Sequence, residues 1–387
     1  MSKRRPSRVG TWSAILFCTG ACAGGDAPAP EADVPAVPTF EGFVDLEIGE
    51  IDGDDPYLFS YIFSVAADPL GRILVTDSRA HEVRVFDPDG NFLFHLGGEG
   101  DGPGEFRFPC CVGFSPDGEL WVRERPRYTV FELEDSGARY VRAVRRLAAG
   151  QLGAYPVAFD ADGRIIDLGL LPGSDGRFVE GRLHINPDGS ADTVEVLEPA
   201  AAAEARRTVE TESNGRSGFL FFYRPYGPEW LRAYGGPEGV WATAASSAYE
   251  VELHGPDGAI SQLTGPPTPG PPLSADEMEY ARGRLEQDME YGNVDAPMFD
   301  VPDSKPPLAA LFFDRVGRLW VQKTAADGAE IIEADVYEGD TLVARYRWPS
   351  RVRPGPIPWV TETMLYGTTT DSLGVQRAAR VRFEQRP

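Results

Sequence analysis

A tight turn followed at once by an apolar strand recurs along this chain, and no other feature restricts its fold as much. Asp68-Pro69-Leu70-Gly71 precedes Arg72-Ile73-Leu74-Val75, and Ser115-Pro116-Asp117-Gly118 precedes Glu119-Leu120-Trp121-Val122. The turn returns at Asp160-Ala161-Asp162-Gly163, Gly236-Pro237-Glu238-Gly239 and Asp314-Arg315-Val316-Gly317, with a degenerate copy at Asp371-Ser372-Leu373-Gly374. The first three turn glycines lie 47 and 45 residues apart, room for four short strands and their connections. A second glycine follows 19 residues after three of them, at Gly90, Gly137 and Gly258. Between the turns, runs such as Tyr249-Glu250-Val251-Glu252-Leu253 alternate with the period of two of half-buried strands. The repeating unit is therefore a four-stranded antiparallel blade, and radial repetition of such blades makes a β-propeller.

Six anchors predict an all-β, six-bladed propeller. The strand near Phe43 to Ile48 is expected to complete the last blade beside Ala378 to Phe383, since an open ring would leave a long sheet edge exposed. The 387 residues suit one such domain, and 43 Gly with 34 Pro favour turns over long helices. Longer intervals around Gly239 mark insertions at about 198–220 and 265–306. In the second, Ser274-Ala275-Asp276-Glu277 reads as a capping box, with Met278, Ala281, Leu285 and Met289 on one helical face and Gly292 as the stop. This predicts a helix over Ala275 to Tyr291. The earlier insertion reads as a mobile loop.

The run Gly97-Gly98-Glu99-Gly100-Asp101-Gly102-Pro103-Gly104-Glu105-Phe106, with Phe86-Asp87-Pro88-Asp89-Gly90 before it, resembles the inter-blade signature of NHL-type propellers. Tyr223-Arg224-Pro225-Tyr226-Gly227-Pro228 and Asp371-Ser372-Leu373-Gly374-Val375 are similar to segments of exported bacterial six-bladed propellers. The resemblance implies the fold and an exported location. It implies no activity, because propellers host binding proteins, lactonases, lyases and scaffolds alike.

The N-terminus also reads as an export segment. Lys3, Arg4, Arg5 and Arg8 precede an apolar stretch, Val9 to Phe17, and the small residues Thr19, Gly20 and Ala21. Thr19-Gly20-Ala21-Cys22 resembles a bacterial lipobox, which would make Cys22 the lipid anchor. Ala21-Cys22-Ala23 equally fits ordinary signal peptidase and a soluble periplasmic product. The expected organisation is a signal peptide over 1–22, a flexible tether over 23–40 and the propeller over 41–387. Localisation follows as periplasm or outer membrane, with the membrane contacted through the anchor alone. A net charge of −23 repels phosphate backbones, so nucleic acid is not an expected partner.

Motifs that suggest chemistry have structural explanations beside them. Gly98-Glu99-Gly100-Asp101-Gly102 lacks the Lys-Ser/Thr of a phosphate cradle and carries two carboxylates, so it reads as a linker. Asp52-Gly53-Asp54-Asp55 and Asp160-Ala161-Asp162-Gly163 could supply oxygens to calcium or another divalent ion, but Asp and Gly are also what tight turns need. No cofactor is expected, with a divalent ion as the alternative. Trp121, Trp241 and Trp320 hold equivalent places after their turns, as inter-blade core residues would. His81, His95, His184 and His254 all follow their turn glycines and should not converge on the axis, which argues against a poly-His metal site.

The innermost strands should be those ending at the turn glycines, among them Trp359 to Leu365 in the last blade. They offer few titratable groups, chiefly Glu229, Arg232 and Glu362. Cys110 and Cys111 either stay reduced or form a vicinal disulfide, which would be an apolar platform near the channel mouth. The expected function is a non-catalytic binding or scaffold module for a protein, peptide or glycan, with Arg224, Tyr226 and Trp230 as candidate contacts beside Arg232, Glu229 and Glu362. The alternative is a metal-dependent, lactonase-like hydrolase or lyase working in the channel.

Overall fold

The structure is a computed structural model that describes residues 37–386 apart from 125–126, 146–157, 161, 173–177, 196–199, 214–215, 237–238 and 294. The export segment, Cys22 and most of the tether expected over 23–40 lie outside the described residues.

Strand β1 (Thr39–Ile48) opens the described chain and takes in the last two residues of the stretch read as tether. Four-stranded antiparallel sheets follow in sequence order. The first holds β2 (Ile62–Ala67), β3 (Ile73–Asp77), β4 (Glu82–Phe86) and β5 (Phe92–Gly97). The second holds β6 (Cys111–Phe114), β7 (Leu120–Arg123), β8 (Arg127–Glu134) and β9 (Gly137–Arg145). The third holds β10 (Ala158–Phe159), β11 (Ile165–Pro172), β12 (Phe178–Ile185) and β13 (Ala191–Glu195). Helix α1 (Ala200–Glu204) then leads into a hairpin of β14 (Arg206–Ser213) and β15 (Arg216–Tyr223). The next sheet holds β16 (Trp230–Ala233), β17 (Trp241–Ala245), β18 (Glu250–His254) and β19 (Ile260–Thr264), and helix α2 (Ala275–Gly292) follows it.

The last strands are β20 (Leu308–Phe313), β21 (Leu319–Lys323), β22 (Ile331–Glu338), β23 (Thr341–Pro349), β24 (Trp359–Val360), β25 (Met364–Thr370) and β26 (Gln376–Gln385). With β1 they form one continuous sheet in the order β20-β21-β22-β23-β1-β26-β25-β24. β1 pairs antiparallel with β26, Phe43 opposite Arg382 and Ile48 opposite Ala378, and parallel with β23. The two ends of the propeller chain thus share a sheet, leaving neither as a free edge.

In the three first-to-second turns that open with aspartate, one carboxylate fixes the shape. Asp68 accepts hydrogen bonds from the amides of Leu70 and Arg72 and from Arg72 Nε at 2.6 Å, while Gly71 takes φ +82°. That backbone region costs a β-carbon-bearing residue energy but not glycine. Asp160 with Arg164 and Asp314 with Arg318 repeat the arrangement. The second strands that follow are buried on both faces, as with every residue of β3, whereas the outer β5 alternates. Packing between successive sheets explains the contrast. Val83 and Val85 pack in one cluster with Leu120 and Val122, and Val251 and Leu253 with Leu319 and Val321. Each such side chain contributes about 1.5–3 kcal/mol by burial.

The glycine-rich run carries the chain from β5 towards β6. It buries Phe106 completely, and Gly97 sits at φ +109° where a Cβ would come within 2.5 Å of the Phe106 ring.

Three expectations need correction. The earlier insertion, read as a mobile loop, forms the β14–β15 hairpin; Phe222 is buried with Leu285 of α2 and Phe299, and Val209 and Leu220 pack beside them. In the last sheet, the Asp371–Gly374 turn joins β25 to β26, second strand to third, where the other copies join first to second. Finally, α2 stops at Asn293, which adopts the left-handed conformation (φ 50°), while Gly292 is the last helical residue and lies where a Cβ would crowd Phe222 and Met298.

Candidate functional site

The first strands of the sheets converge on one cavity of about 580 Å³. Its wall is built from Pro69 after β2, Phe114 of β6, Phe159 of β10, Tyr234 after β16, Phe313 of β20 and Trp359 of β24. Phe114 meets Trp359 edge-on at 5.9 Å, and rings behind the wall support it: Trp121 against Phe159 at 5.5 Å and Trp241 stacked on Tyr234 at 6.0 Å. The size falls within the range of small-molecule sites.

Among the described residues two charged ones line the cavity, Asp314 and Arg315. The Asp314 carboxylate is buried and occupied, accepting from the amides of Val316 and Arg318, from Arg318 Nε at 2.8 Å and from Trp320 Nε1 at 2.9 Å. Arg315 anchors its amide on the Val360 carbonyl at 2.8 Å and lays its guanidinium over Trp359, 4.2 Å from the ring centre. The residue as a whole is exposed and, among the described residues, its guanidinium has neither a hydrogen-bond nor an ion-pair partner, although the wall packed around it limits its hydration. The surrounding wall pushes its pKa down against the opposing pull of Asp314. The guanidinium stays charged at any ordinary pH.

The residues singled out in the sequence lie elsewhere, and in separate places. Arg224 and Tyr226 belong to the inserted segment. The Arg224 amide donates to the Ala205 carbonyl and its guanidinium lies 6.0 Å from the Phe299 ring. Tyr226 packs edge-on against Tyr280 of α2 at 6.3 Å, where burial, with Glu277, Tyr280 and Asp327 nearby, pushes its phenol pKa up. Trp230 and Arg232 pair on β16, the guanidinium 4.3 Å over the ring, and Trp230 Nε1 donates to Thr243 Oγ1.

Glu229 is exposed before β16, at the opposite end of that strand from the cavity residue Tyr234. Glu362 is not on a first strand as expected. It sits in the β24–β25 turn, its side chain 64% exposed and 3.2 Å from Arg318 Nη1. The two carboxylates therefore do not share a site.

Cys110 and Cys111 are bonded to each other through their sulfurs, but they are 4% and 0% exposed and lie at the start of β6, away from the cavity residue Phe114. Trp121, Tyr128 and Val130 cover them, so they offer no open platform. Trp121, Trp241 and Trp320 are likewise buried. Of the histidines, His81 Nδ1 contacts the Arg107 carbonyl, His184 Nδ1 meets Asp160 at 2.7 Å, His254 stacks on Trp241 at 3.8 Å and His95 is exposed; none lines the cavity. Asp160, a carboxylate weighed for calcium, is taken up by its turn, Arg164 and His184. Among the described residues no group of three or more His, Cys, Asp or Glu is placed to hold a metal ion, and no helix is long and apolar enough to cross a membrane.

Arg315 escaped the sequence reading although a signal was present. At the second position of the turn the other first-to-second copies carry Pro69, Pro116, Ala161 and Pro237. A guanidinium there departs from the steric rule that shaped the rest.

Residues 43–110 match the model of a family described as a 6-bladed beta-propeller. A search of curated proteins by sequence finds no match. Among solved structures the chain is similar to a catalytically inactive virginiamycin B lyase from Staphylococcus aureus with quinupristin (12% identity, 89% of this chain and 99% of that one, TM-score 0.44). It is also similar to the PQQ-bound aldose sugar dehydrogenase of Streptomyces coelicolor (14%, 89% and 99%, TM-score 0.44) and to a gluconolactonase of Xanthomonas campestris (13%, 84% and 88%, TM-score 0.39).

Proposed function

We propose that this chain is an exported, lipid-anchored, NHL-like propeller of six blades that acts as a non-catalytic binding module and takes its ligand in the axial cavity. Six blades accord with first strands from six sheet segments meeting at that cavity. The binding reading rests on one observation: among the described residues, the two charged groups of the cavity are a carboxylate consumed by its own turn and a guanidinium that cannot shuttle protons. Acid–base work needs a titratable pair within reach of a bound molecule, and among the described residues the rest of the wall is largely aromatic, Tyr234 adding one phenol. Of the protein, peptide and glycan ligands considered from sequence, the concave shape favours a small ligand or the end of a chain.

The test uses protein purified from membranes without chelator. Metal analysis should find no stoichiometric divalent ion, the Tm should not move with EDTA, and mass spectrometry should find a diacylated Cys22 at the mature N-terminus. A stoichiometric ion whose removal lowers the Tm would sink the non-catalytic reading in favour of the metal-dependent hydrolase or lyase, because an ion bound to the native state stabilises it.

A further inference from the structure

The cavity combines three features: an aromatic wall, one available cation among the described residues, and a position inside a strongly acidic molecule. From these we infer that the cavity binds a small organic monoanion, a carboxylate carried on a flat apolar body, with Arg315 gripping the carboxylate and Phe114 and Trp359 flanking the body. The inference rests on the binding reading above and specifies its ligand.

Geometry supports it first. The guanidinium fork matches a carboxylate with two parallel N–H donors. Here the main chain is fixed by the Arg315 amide on Val360 and the guanidinium lies over Trp359, and among the described residues its donors have no hydrogen-bond partner. Contact with the ring restricts the guanidinium and reduces the freedom lost on binding. Asp314, the preceding residue, does not compete, because its oxygens serve Arg318 and Trp320.

Charge then selects among oxyanions. The one positive charge available among the described residues balances a carboxylate, whereas a phosphate monoester brings about −1.5 to −2 at neutral pH. The surplus would sit in the field of a chain carrying −23 overall. The apolar body follows from the wall, whose rings gain by covering a flat apolar surface. The sequence agrees with this assignment. Arg315 occupies the turn position that is proline or alanine in the other first-to-second copies, so its charge is not there to make the turn.

The experiment is calorimetric titration of the mature protein with benzoate, cinnamate and 1-naphthoate, with 1-naphthamide and phenyl phosphate as comparisons. At least one carboxylate should bind one-to-one. Arg315→Gln should weaken it by about tenfold or more, while Arg315→Lys, which keeps the charge and loses the fork, should fall between. Naphthamide should be indifferent to both substitutions, and phenyl phosphate should bind more weakly than the carboxylates. Each variant's Tm is measured alongside; if Arg315→Gln does not fold, Arg315→Lys decides the matter by the same comparison.

Failure of all three carboxylates to saturate would overturn the inference. So would equal affinity for wild type and a folded Arg315 variant, or tighter binding of phenyl phosphate. Such a failure in metal-free protein leaves the binding reading standing with another ligand class. A stoichiometric metal ion removes the binding reading itself.

Discussion

At the scale of single residues, the molecule repeatedly uses aromatic faces to hold cations. Arg182 lies 4.9 Å over Trp241, whose other neighbours include His254 at 3.8 Å, and Arg142 lies 5.3 Å over Trp121. His254 carries a consequence for pH. Burial holds its pKa below the ordinary imidazole value, against the pull of Glu252 and with the help of Arg182. Between that lowered value and about 6.5 the unfolded chain binds more protons than the native one. Stability tied to this ring is therefore complete above about pH 6.5 and is lost as the pH falls through that window. In His254→Phe, which keeps a ring on Trp241, the Tm between about pH 7 and pH 5 should vary less than in the wild type. Parallel profiles for the two proteins would show that another group governs the slope. The candidate site belongs to this scale too, and it was only partly legible. Arg315 stands out in the turn alignment, but Phe114, Tyr234 and Trp359 come from distant segments whose convergence no local pattern announces. Arg224 and Tyr226 stood out as polar and aromatic residues in an insertion, and they hold that insertion together.

Among elements, the sheets are coupled by buried charges as well as apolar packing. Arg123 of β7 and Tyr128 of β8 both reach Asp167 on β11 of the next sheet, at 3.0 and 2.7 Å, and all three are nearly inaccessible. Tyr249, before β18, reaches Asp335 of β22 in the same manner at 3.0 Å. Removing Asp167 takes the carboxylate from the buried Arg123 guanidinium. Asp167→Ala should lower stability by about 3–5 kcal/mol, read as a shifted urea midpoint with unchanged slope. Adding Arg123→Met should recover a good part of the loss; no recovery would mean that the penalty comes from packing and not from the orphaned cation. Elements were the most legible level of the fold, because the turns are built by local chemistry that a sequence displays. The same locality misled twice. An Asp-Ser-Leu-Gly turn serves β25 to β26 as well as it would a first-to-second connection, so the phase of the last sheet was hidden. In β14 and β15, charged and small residues masked an alternation that only the apolar patch of α2 and Phe299 makes useful.

For the molecule as a whole, β1 is the piece that makes the ring a ring. Ion pairs hold it on both sides, Glu41 with Arg347 at 2.7 Å and Asp45 with Arg380 at 2.9 Å, over the backbone ladders to β23 and β26. Deleting residues 39–48 exposes two strand edges at once, and the shortened chain should form soluble aggregates or precipitate, as seen by sedimentation and circular dichroism. A monomeric deletion variant with an unchanged Tm would show that the closure is dispensable. A peptide spanning 37–50, added in trans, should restore monomers if the lost pairing is the cause.

That clasp also sets the order of events in time. Glu41 and Arg347 are 306 positions apart and Asp45 and Arg380 are 335, so the strand that emerges first waits for partners made last. Contacts of such long sequence separation form slowly, and unpaired edges are hazardous while they wait. On the export reading proposed above, a chain threaded across the membrane from its N-terminus would carry β1 through the whole passage without its neighbours. The last step of maturation would then be the docking of an old strand onto newly arrived ones, a step that depends on keeping β1 single until the C-terminus clears the exit.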